Sequence, residues 1–489
     1  MKLTELARCC AEEILSVQGD CEVANPFINS REKQVNGLFF CISGARFDGH
    51  QFAEQAIKNG ASALVVERLL PLDAPQVLVR SVREAIGPMC AALYGNPARG
   101  MKMIGITGTK GKTTSSYLIK AILEAAGMKA GLIGTTGNMI GSEFIHGNMT
   151  TPEAHHLQGL LRRMADEGVQ AVVMEVSAHA IDMHRVDGIL YDVGCYTNLS
   201  QDHLDYFETM ERYFQAKKSF FVPEHVQQAA LNVDDETSLR IMREIAIPYL
   251  RYGISTNAEL YARDIEISEN GVTFRICVLA QGERLVHLQM TGIFNVYNAL
   301  TAAAAALALG IGLDDIVRGL ESVRAVPGRA EMLETHTPYK VLLDYSHSPE
   351  ALENILTAVR DFTKGRVIAL FGCGGDRDHG KRPMMGEIGG RLADYCILTS
   401  DNPRNEDPYD ILAAIEEGIR HTDKPYTVIE NRREAIRYAL SIAKEGDLVV
   451  LAGKGHETYQ EIKGVKRPFD EKVVVRELLA EMGQPETAR

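Results

Sequence analysis

A chain of 489 residues is long enough for about three domains at ~150 residues each. With 45% hydrophobic and 24% charged residues it falls among globular proteins, which excludes disordered, collagen-like and coiled-coil classes. A net charge of −13 opposes association with phosphate polymers or anionic lipid, so no nucleic-acid partner is expected.

Leu3, Leu6, Cys10, Ile14 and Leu15 lie at helical spacing among Glu5, Glu12 and Glu13, which predicts a surface helix over residues 1–16 rather than a secretory signal. Leu38–Ser43 and Ala61–Glu67 read as strands around a helical Phe52–Lys58, a small α/β unit ending near Tyr94-Gly95-Asn96-Pro97. Next, a strand at Met101–Thr107 runs into Gly108-Thr109-Lys110-Gly111-Lys112-Thr113-Thr114 and a long helix, and Ala171–Val176 is the following clear strand. The apolar run Ala299–Leu313 is shorter than the ~20 residues that span a bilayer, so no membrane span is expected. A second break falls at Val326-Pro327-Gly328, followed by strands at Val341–Tyr345, Arg366–Phe371, Tyr395–Thr399 and Leu448–Ala452 that alternate with helices. The expected fold is therefore α/β in three domains: a smaller N-terminal α/β domain at 1–98, a central P-loop ATPase-type parallel-sheet domain at 99–327, and a Rossmann-like domain at 328–489. The nine scattered cysteines include no C-x-x-C pair, so a reducing cytoplasm is expected and neither a disulfide framework nor a zinc ribbon is indicated.

Five strands deliver polar or glycine-rich residues just past their C-terminal ends: Gly108–Thr114, Glu175-Val176-Ser177, Gly372–Asp378, Asp401–Arg404 and Gly453–Glu457. Ligands of open parallel sheets bind at those ends, which predicts a cleft shared by two sheet domains. The strand, glycine turn and helix opening on Lys112-Thr113 supply backbone N–H groups, an ammonium and a Mg²⁺-binding hydroxyl, the parts that a triphosphate needs. The spacing is not strict Walker A: Gly105 lies one residue too far from Gly111-Lys112 and Gly108 two residues too close.

That shortened loop resembles the one found in the Mur ligases and their folylpolyglutamate synthetase relatives. The resemblance continues through Met174–Ser177, Thr197–Asp205, Gly292–Asn298, Asp344–Pro349, Gly372–Arg382, Asp401–Arg404 and Gly453–Glu457, and so covers the whole chain. Within the family these motifs imply the activity that adds meso-diaminopimelate to the D-glutamate γ-carboxyl of UDP-N-acetylmuramoyl-L-alanyl-D-glutamate. That reaction converts the carboxylate to an acyl phosphate with ATP, and a neutral amine then attacks it. Alternatives are the lysine-adding ligase of the same family and a non-catalytic homologue serving as an assembly subunit.

By resemblance, Lys112 and Thr113 act on the phosphates and a first Mg²⁺, and Glu175 and His203 are ligands of a second. Asn295 and Asn298 reach the adenine, and their spacing also allows them to cap an alanine-rich helix; Arg329 and Asp344 contact phosphate and ribose. Lys217 sits where relatives carry a lysine carbamylated by CO₂, whereas the residues alone read as a solvated surface lysine beside Lys218. The nucleotide sugar is expected at Ser30 and Ala45-Arg46-Phe47, and its muramoyl dipeptide at Thr150, Thr151, Ser177 and Arg185. Relatives often read Asp-Ser-Arg at Asn29-Ser30-Arg31, and Met149 and Met183 replace residues that are commonly polar. Diaminopimelate is expected at Arg377, Asp401, Asn402, Pro403, Arg404, Gly453 and Glu457, with Arg404 buried against the distal carboxylate and Glu457 taking the distal ammonium. The expected protein is a cytoplasmic monomer.

Overall fold

Three large sheets and a two-stranded ribbon, Tyr459–Ile462 with Val465–Pro468, carry the chain in a computed structural model that describes residues 1–10, 12–44, 47–147, 149–255, 257–279 and 281–483. The first has five strands, with Gln76–Val79, Ala61–Val66, Gly37–Phe40 and Asn25–Phe27 parallel in that order and Ile14–Gln18 antiparallel on the outer edge. The helix expected over residues 1–16 ends at Cys9, and the chain turns into that edge strand. Ladder bonds to Gln76–Val79 override the helical spacing, which leaves Leu15 more than half exposed.

The central sheet has eleven strands. Its heart is parallel, running Tyr249–Gly253, Val226–Asn232, Tyr191–Tyr196, Lys102–Thr107, Ala171–Glu175, Ala130–Gly134. Nearly every residue of the Lys102–Thr107, Ala171–Glu175 and Ala130–Gly134 strands is buried, as expected where helices cover both faces of a parallel sheet. Lys112–Ala125, Ile293–Ala308 and Leu313–Ser322 pack one face, and Ala154–Asp166 with Phe214, Phe220 and Phe221 the other. The apolar run near residue 300 is thus a core helix, and among the described residues no helix is long and apolar enough to cross a membrane.

The third sheet runs Glu331–Leu333, Lys340–Asp344, Leu448–Ala452, Val367–Phe371, Tyr395–Leu398, Tyr426–Val428, parallel except for the first strand. Leu448–Ala452 returns from the end of the chain to lie between two earlier strands, so the strand order reverses there and opens a crevice at the strand ends.

Candidate active site

The buried strand Lys102–Thr107 stops at Gly108, and the helix Lys112–Ala125 begins after Gly111. Gly108 has φ +146°, and a Cβ there would lie 1.8 Å from Thr197 Oγ1, so only glycine fits. The next strand's loop laces the turn: Thr109 N donates to the Asn198 carbonyl at 2.9 Å, Lys110 N to Asn198 Oδ1 at 2.9 Å, and Thr197 Oγ1 to the Lys110 carbonyl at 2.7 Å. The result is a rigid nest whose helix N-terminus attracts phosphate. Lys112 Nζ folds back onto the carbonyls of Gly108 (2.8 Å) and Thr109 (3.0 Å), and burial pushes its ammonium down to about 8 against the opposing pull of Glu175. Thr114 is buried in the first helical turn.

Glu175 ends its strand almost fully buried, with both oxygens engaged. Oε2 accepts from Thr113 Oγ1 at 3.0 Å and Thr135 Oγ1 at 2.9 Å, and Oε1 accepts from Thr135 N at 2.9 Å. A hydroxyl and a carboxylate beside a phosphate nest form a hard oxygen set suited to Mg²⁺, which binds through few protein ligands and keeps much of its water. Among the described residues no three His, Cys, Asp or Glu side chains converge on one point. His203, at φ +57°, stands edge-on to His179 with ring centroids 4.7 Å apart. Its side chain is 46% exposed, and desolvation by the surrounding protein lowers its imidazole to about 4, opposed by Asp202; a neutral ring offers a lone pair to a metal.

Lys217 is not at the surface. The helix Met210–Lys218 turns it inward, 1% exposed, while Lys218 pairs with Glu244. Its Nζ donates to the Gly108 carbonyl at 2.8 Å and sits 4.4 Å from the Tyr213 ring centroid. Burial and then the Lys112 charge hold the amine well below the ordinary lysine range, against the pull of Asp202.

The third unit reaches the same loop. Arg329 Nη2 donates to Thr113 Oγ1 at 3.1 Å, and its guanidinium lies 4.7 Å over the Tyr345 ring. Asp344 Oδ2 accepts from Ala330 N at 2.7 Å. Asn295 and Asn298 cap nothing: the helix begins after Gly292, Asn295 Nδ2 donates to the Thr291 carbonyl (2.8 Å), and Asn298 Nδ2 donates to Asn295 Oδ1 (2.9 Å). Both are buried, and a Cβ on Gly111 would lie 2.5 Å from Asn298 Oδ1, so the pair backs the phosphate loop.

On the other flank, Thr151 Oγ1 donates to the Glu175 carbonyl at 2.8 Å and accepts from Ser177 N at 3.1 Å, and Thr150 Oγ1 lies 3.0 Å from Thr135 Oγ1. Arg185 pairs with Glu153 at 2.9 Å, and Glu153 also holds Arg83 of the first unit at 3.0 Å. Met183 Sδ accepts from Arg185 Nη2 at 3.3 Å, so the methionine supports the arginine. The Ser30 carbonyl accepts from Asn59 Nδ2 at 2.7 Å, and Phe47 is exposed; Ala45 and Arg46 lie outside the described residues.

Between the second and third units a cavity of about 180 Å³ is lined by Asp202 and His203 on one side and by Arg377, Asp401, Asn402, Arg404, Gly453 and Glu457 on the other. Pro403 is buried behind it. Arg404 is not fully buried as expected: its side chain is 22% exposed, Nη1 donates to the Gly375 carbonyl at 2.7 Å, and Glu461 Oε2 stands 3.6 Å from Nε. Arg377 is exposed at the rim. A wider groove of about 930 Å³ opens at the opposite end of the sheet around Arg99 and Gln170, and contains none of these residues.

The sequence reading missed Thr135, Asn198, Tyr213 and Lys454. Of these, Asn198 and Lys454 lie inside the Thr197–Asp205 and Gly453–Glu457 motifs, whereas Thr135 follows a strand whose turn carries no chemical signature.

Three family models cover most of the chain: Mur ligase family, catalytic domain (residues 23–94), Mur ligase middle domain (106–306), and Mur ligase, glutamate ligase domain (328–455). The UDP-N-acetylmuramoyl-L-alanyl-D-glutamate–2,6-diaminopimelate ligase of Caldanaerobacter subterraneus is 44% identical over 98% of this chain and 99% of its own. The ligase of the same name from Bacillus velezensis is 42% identical over 99% and 100%. Among solved structures, one UDP-N-acetylmuramoyl-L-alanyl-D-glutamate–2,6-diaminopimelate ligase matches with a TM-score of 0.68 and 32% identity over 95% of this chain and 96% of its own. MurF of Thermotoga maritima, solved with ADP, shares the fold with a TM-score of 0.65 at 20% identity, over 94% and 97%. With full-length relatives above 40% identity and a phosphate nest, buried lysine and interdomain cavity in one arrangement, the chain belongs to the Mur ligase family.

Proposed function

We propose that this protein joins meso-diaminopimelate to the D-glutamate γ-carboxyl of UDP-N-acetylmuramoyl-L-alanyl-D-glutamate at the expense of ATP, in the cytoplasm, as a step of peptidoglycan precursor synthesis. The observation that carries the reading is the interdomain cavity, which has Asn402, Arg404 and Glu457 on one wall and Asp202 and His203 on the other. Such a wall offers donors to a carboxylate and an acceptor to an ammonium, the two charges at the far end of diaminopimelate.

Each step has a residue to perform it. Backbone N–H groups at the helix start, Lys112–Thr114, cradle the phosphates while Asn198 keeps those of Thr109 and Lys110, and Lys112 releases its two carbonyls to meet the γ-phosphate. Thr113 would hold a first Mg²⁺ and Glu175 with His203 a second, and the ions would neutralise the charge of phosphate and substrate carboxylate. Arg329, already on Thr113, adds a cation from the third unit once the units face one another. Thr151, Ser177 and Arg185 hold the peptide end, and the first unit holds the uridine diphosphate through Ser30 and the loop containing Phe47. The carboxylate oxygen attacks the γ-phosphorus and ADP leaves; the neutral amine then attacks the acyl carbon, phosphate leaves, and the amine gives up a proton.

Lys217 has the property a carbamate requires, an amine whose charged form is disfavoured by burial and by the neighbouring Lys112. Attack of its Nζ on CO₂ would form an N–C bond and release one proton, and the resulting anion would offer an oxygen ligand to Mg²⁺. Mass spectrometry of a reaction containing ATP, Mg²⁺, UDP-muramoyl dipeptide and diaminopimelate tests the reading: the nucleotide sugar should gain one diaminopimelate less one water. An unchanged nucleotide sugar in the presence of folded protein would refute it.

A further inference from the structure

We infer that Lys454 is the positioning residue of the amino-acid cavity, its buried cation fixing Asn402 and Glu457 in the one arrangement that favours an amino acid with both a carboxylate and an ammonium at its far end. The inference deepens the function proposed above and rests on it.

Lys454 follows the strand Leu448–Ala452 and its side chain is 0% exposed. It lies behind the cavity wall rather than on it. Its ammonium donates to Asn402 Oδ1 and Glu457 Oε2, both at 3.1 Å, and stands 3.6 Å from Asp401 Oδ1 as an ion pair without a hydrogen bond. The backbone that carries it is clamped, since a Cβ on Gly328 would lie 2.1 Å from His456 N.

Two orientations follow from that cation. Asn402 Oδ1 takes Lys454 and also Glu461 N at 2.9 Å, so its amide nitrogen must point the other way. One amide hydrogen goes to Glu457 Oε2 at 2.8 Å, and the second is left for a ligand. Flipping the amide would set NH₂ against the ammonium, so chemistry fixes the choice. Glu457 Oε2 is filled by Lys454 and Asn402, while Oε1 has only a 3.5 Å contact from the Tyr345 hydroxyl. The cavity therefore receives one amide donor and one carboxylate oxygen side by side. A carboxylate and an ammonium on one carbon match both, whereas lysine matches only the second. Lys454 also keeps Asp401 and Glu457 together despite their like charge.

The test compares full-length wild type with Lys454→Met, Lys454→Arg, Glu457→Gln and the Lys454→Met/Glu457→Gln double variant, with folding checked by thermal unfolding. KM for diaminopimelate should rise at least ~10-fold in both single Lys454 variants, while KM for ATP and for the nucleotide sugar stays within about twofold, and the preference over lysine should narrow by a similar factor. The double variant should lose less than the product of the single losses, because Lys454 acts through Glu457. If Lys454→Met fails to fold, Lys454→Arg and the double variant carry the same comparison. Wild-type KM for diaminopimelate in any folded Lys454 variant, an equal rise for all three substrates, or failure of every Lys454 variant to fold overturns the inference. A wild type that never uses diaminopimelate overturns the function and the inference with it; a wild type that uses it beside variants that keep its KM overturns the inference alone.

Discussion

Lys217 Nζ donates to the Gly108 carbonyl at 2.8 Å, which ties a buried amine from the helix Met210–Lys218 to the first residue of the phosphate loop, 109 positions earlier in the chain. The contact puts the amine under the triphosphate nest, where an ammonium would repel Lys112 and a carbamate would not.

Replacing Lys217 by alanine should therefore abolish turnover, and a small carboxylate or bicarbonate in excess should restore part of it. Wild-type enzyme in CO₂-depleted buffer should lose rate and recover it when bicarbonate is added. A steady-state assay with retained wild-type rate in Lys217→Ala would remove the residue from the mechanism.

Lys112→Ala should stop acyl-phosphate formation, with kcat falling by ~10² or more, because a cation aimed at the transferred phosphoryl group is lost. Binding of the nucleotide sugar, measured by calorimetry, should stay within about twofold, because Ser30 and Phe47 belong to another unit. A collapse of that affinity in folded protein would mean the two sites are not separate.

Thr135 holds both oxygens of Glu175 through its N–H and hydroxyl. Thr135→Val keeps the N–H and deletes the hydroxyl, so the Mg²⁺ concentration giving half-maximal rate should rise by a factor of ~10–100. A magnesium titration that superimposes on wild type would show that Glu175 needs no such support.

His155 is buried in the helix Ala154–Asp166 against His156, its Nδ1 unpartnered, and burial lowers its imidazole to about 3. The unfolded chain protonates that ring near 6.5 and the folded protein does not, so stability falls as pH drops from ~6.5 toward ~3, by up to about 1.4 kcal/mol per unit. His155→Phe should flatten that slope in urea denaturation between pH 4 and 7. Parallel slopes would show that His155 is not the group responsible.

Much of this molecule was legible because its chemistry is local in sequence. The Gly108–Thr114 turn, the strand-end Glu175 and the Asp401–Arg404 and Gly453–Glu457 loops each announce themselves within a few residues, and each lies at a strand's C-terminal end. What escaped is long-range. The amine of Lys217 reads as solvated because its burial comes from strands and loops far away in the chain, and Thr135 gains its role only when Ala171–Glu175 pairs beside Ala130–Gly134. The edge strand Ile14–Gln18 reads as helix because its partner lies some sixty residues on, where no helical periodicity can report it.

Arg404 is held by the Gly375 carbonyl and stands near Glu461, with its outer edge in solvent. Deleting it by Arg404→Ala should cost about 2 kcal/mol of diaminopimelate kcat/KM, near the low end for a charge that retains some water, and should narrow the gap to lysine. An unchanged preference in that variant would move specificity to Asn402, Glu457 and Lys454.

The most direct test of the account is a panel of amines in an assay of phosphate release from ATP with UDP-muramoyl dipeptide present. The Asn402, Arg404 and Glu457 wall predicts that meso-diaminopimelate drives release and that lysine does so with a kcat/KM lower by ~10³ or more. Equal use of lysine would reassign the protein to the lysine-adding branch, and no release with any amine would contradict its being a ligase.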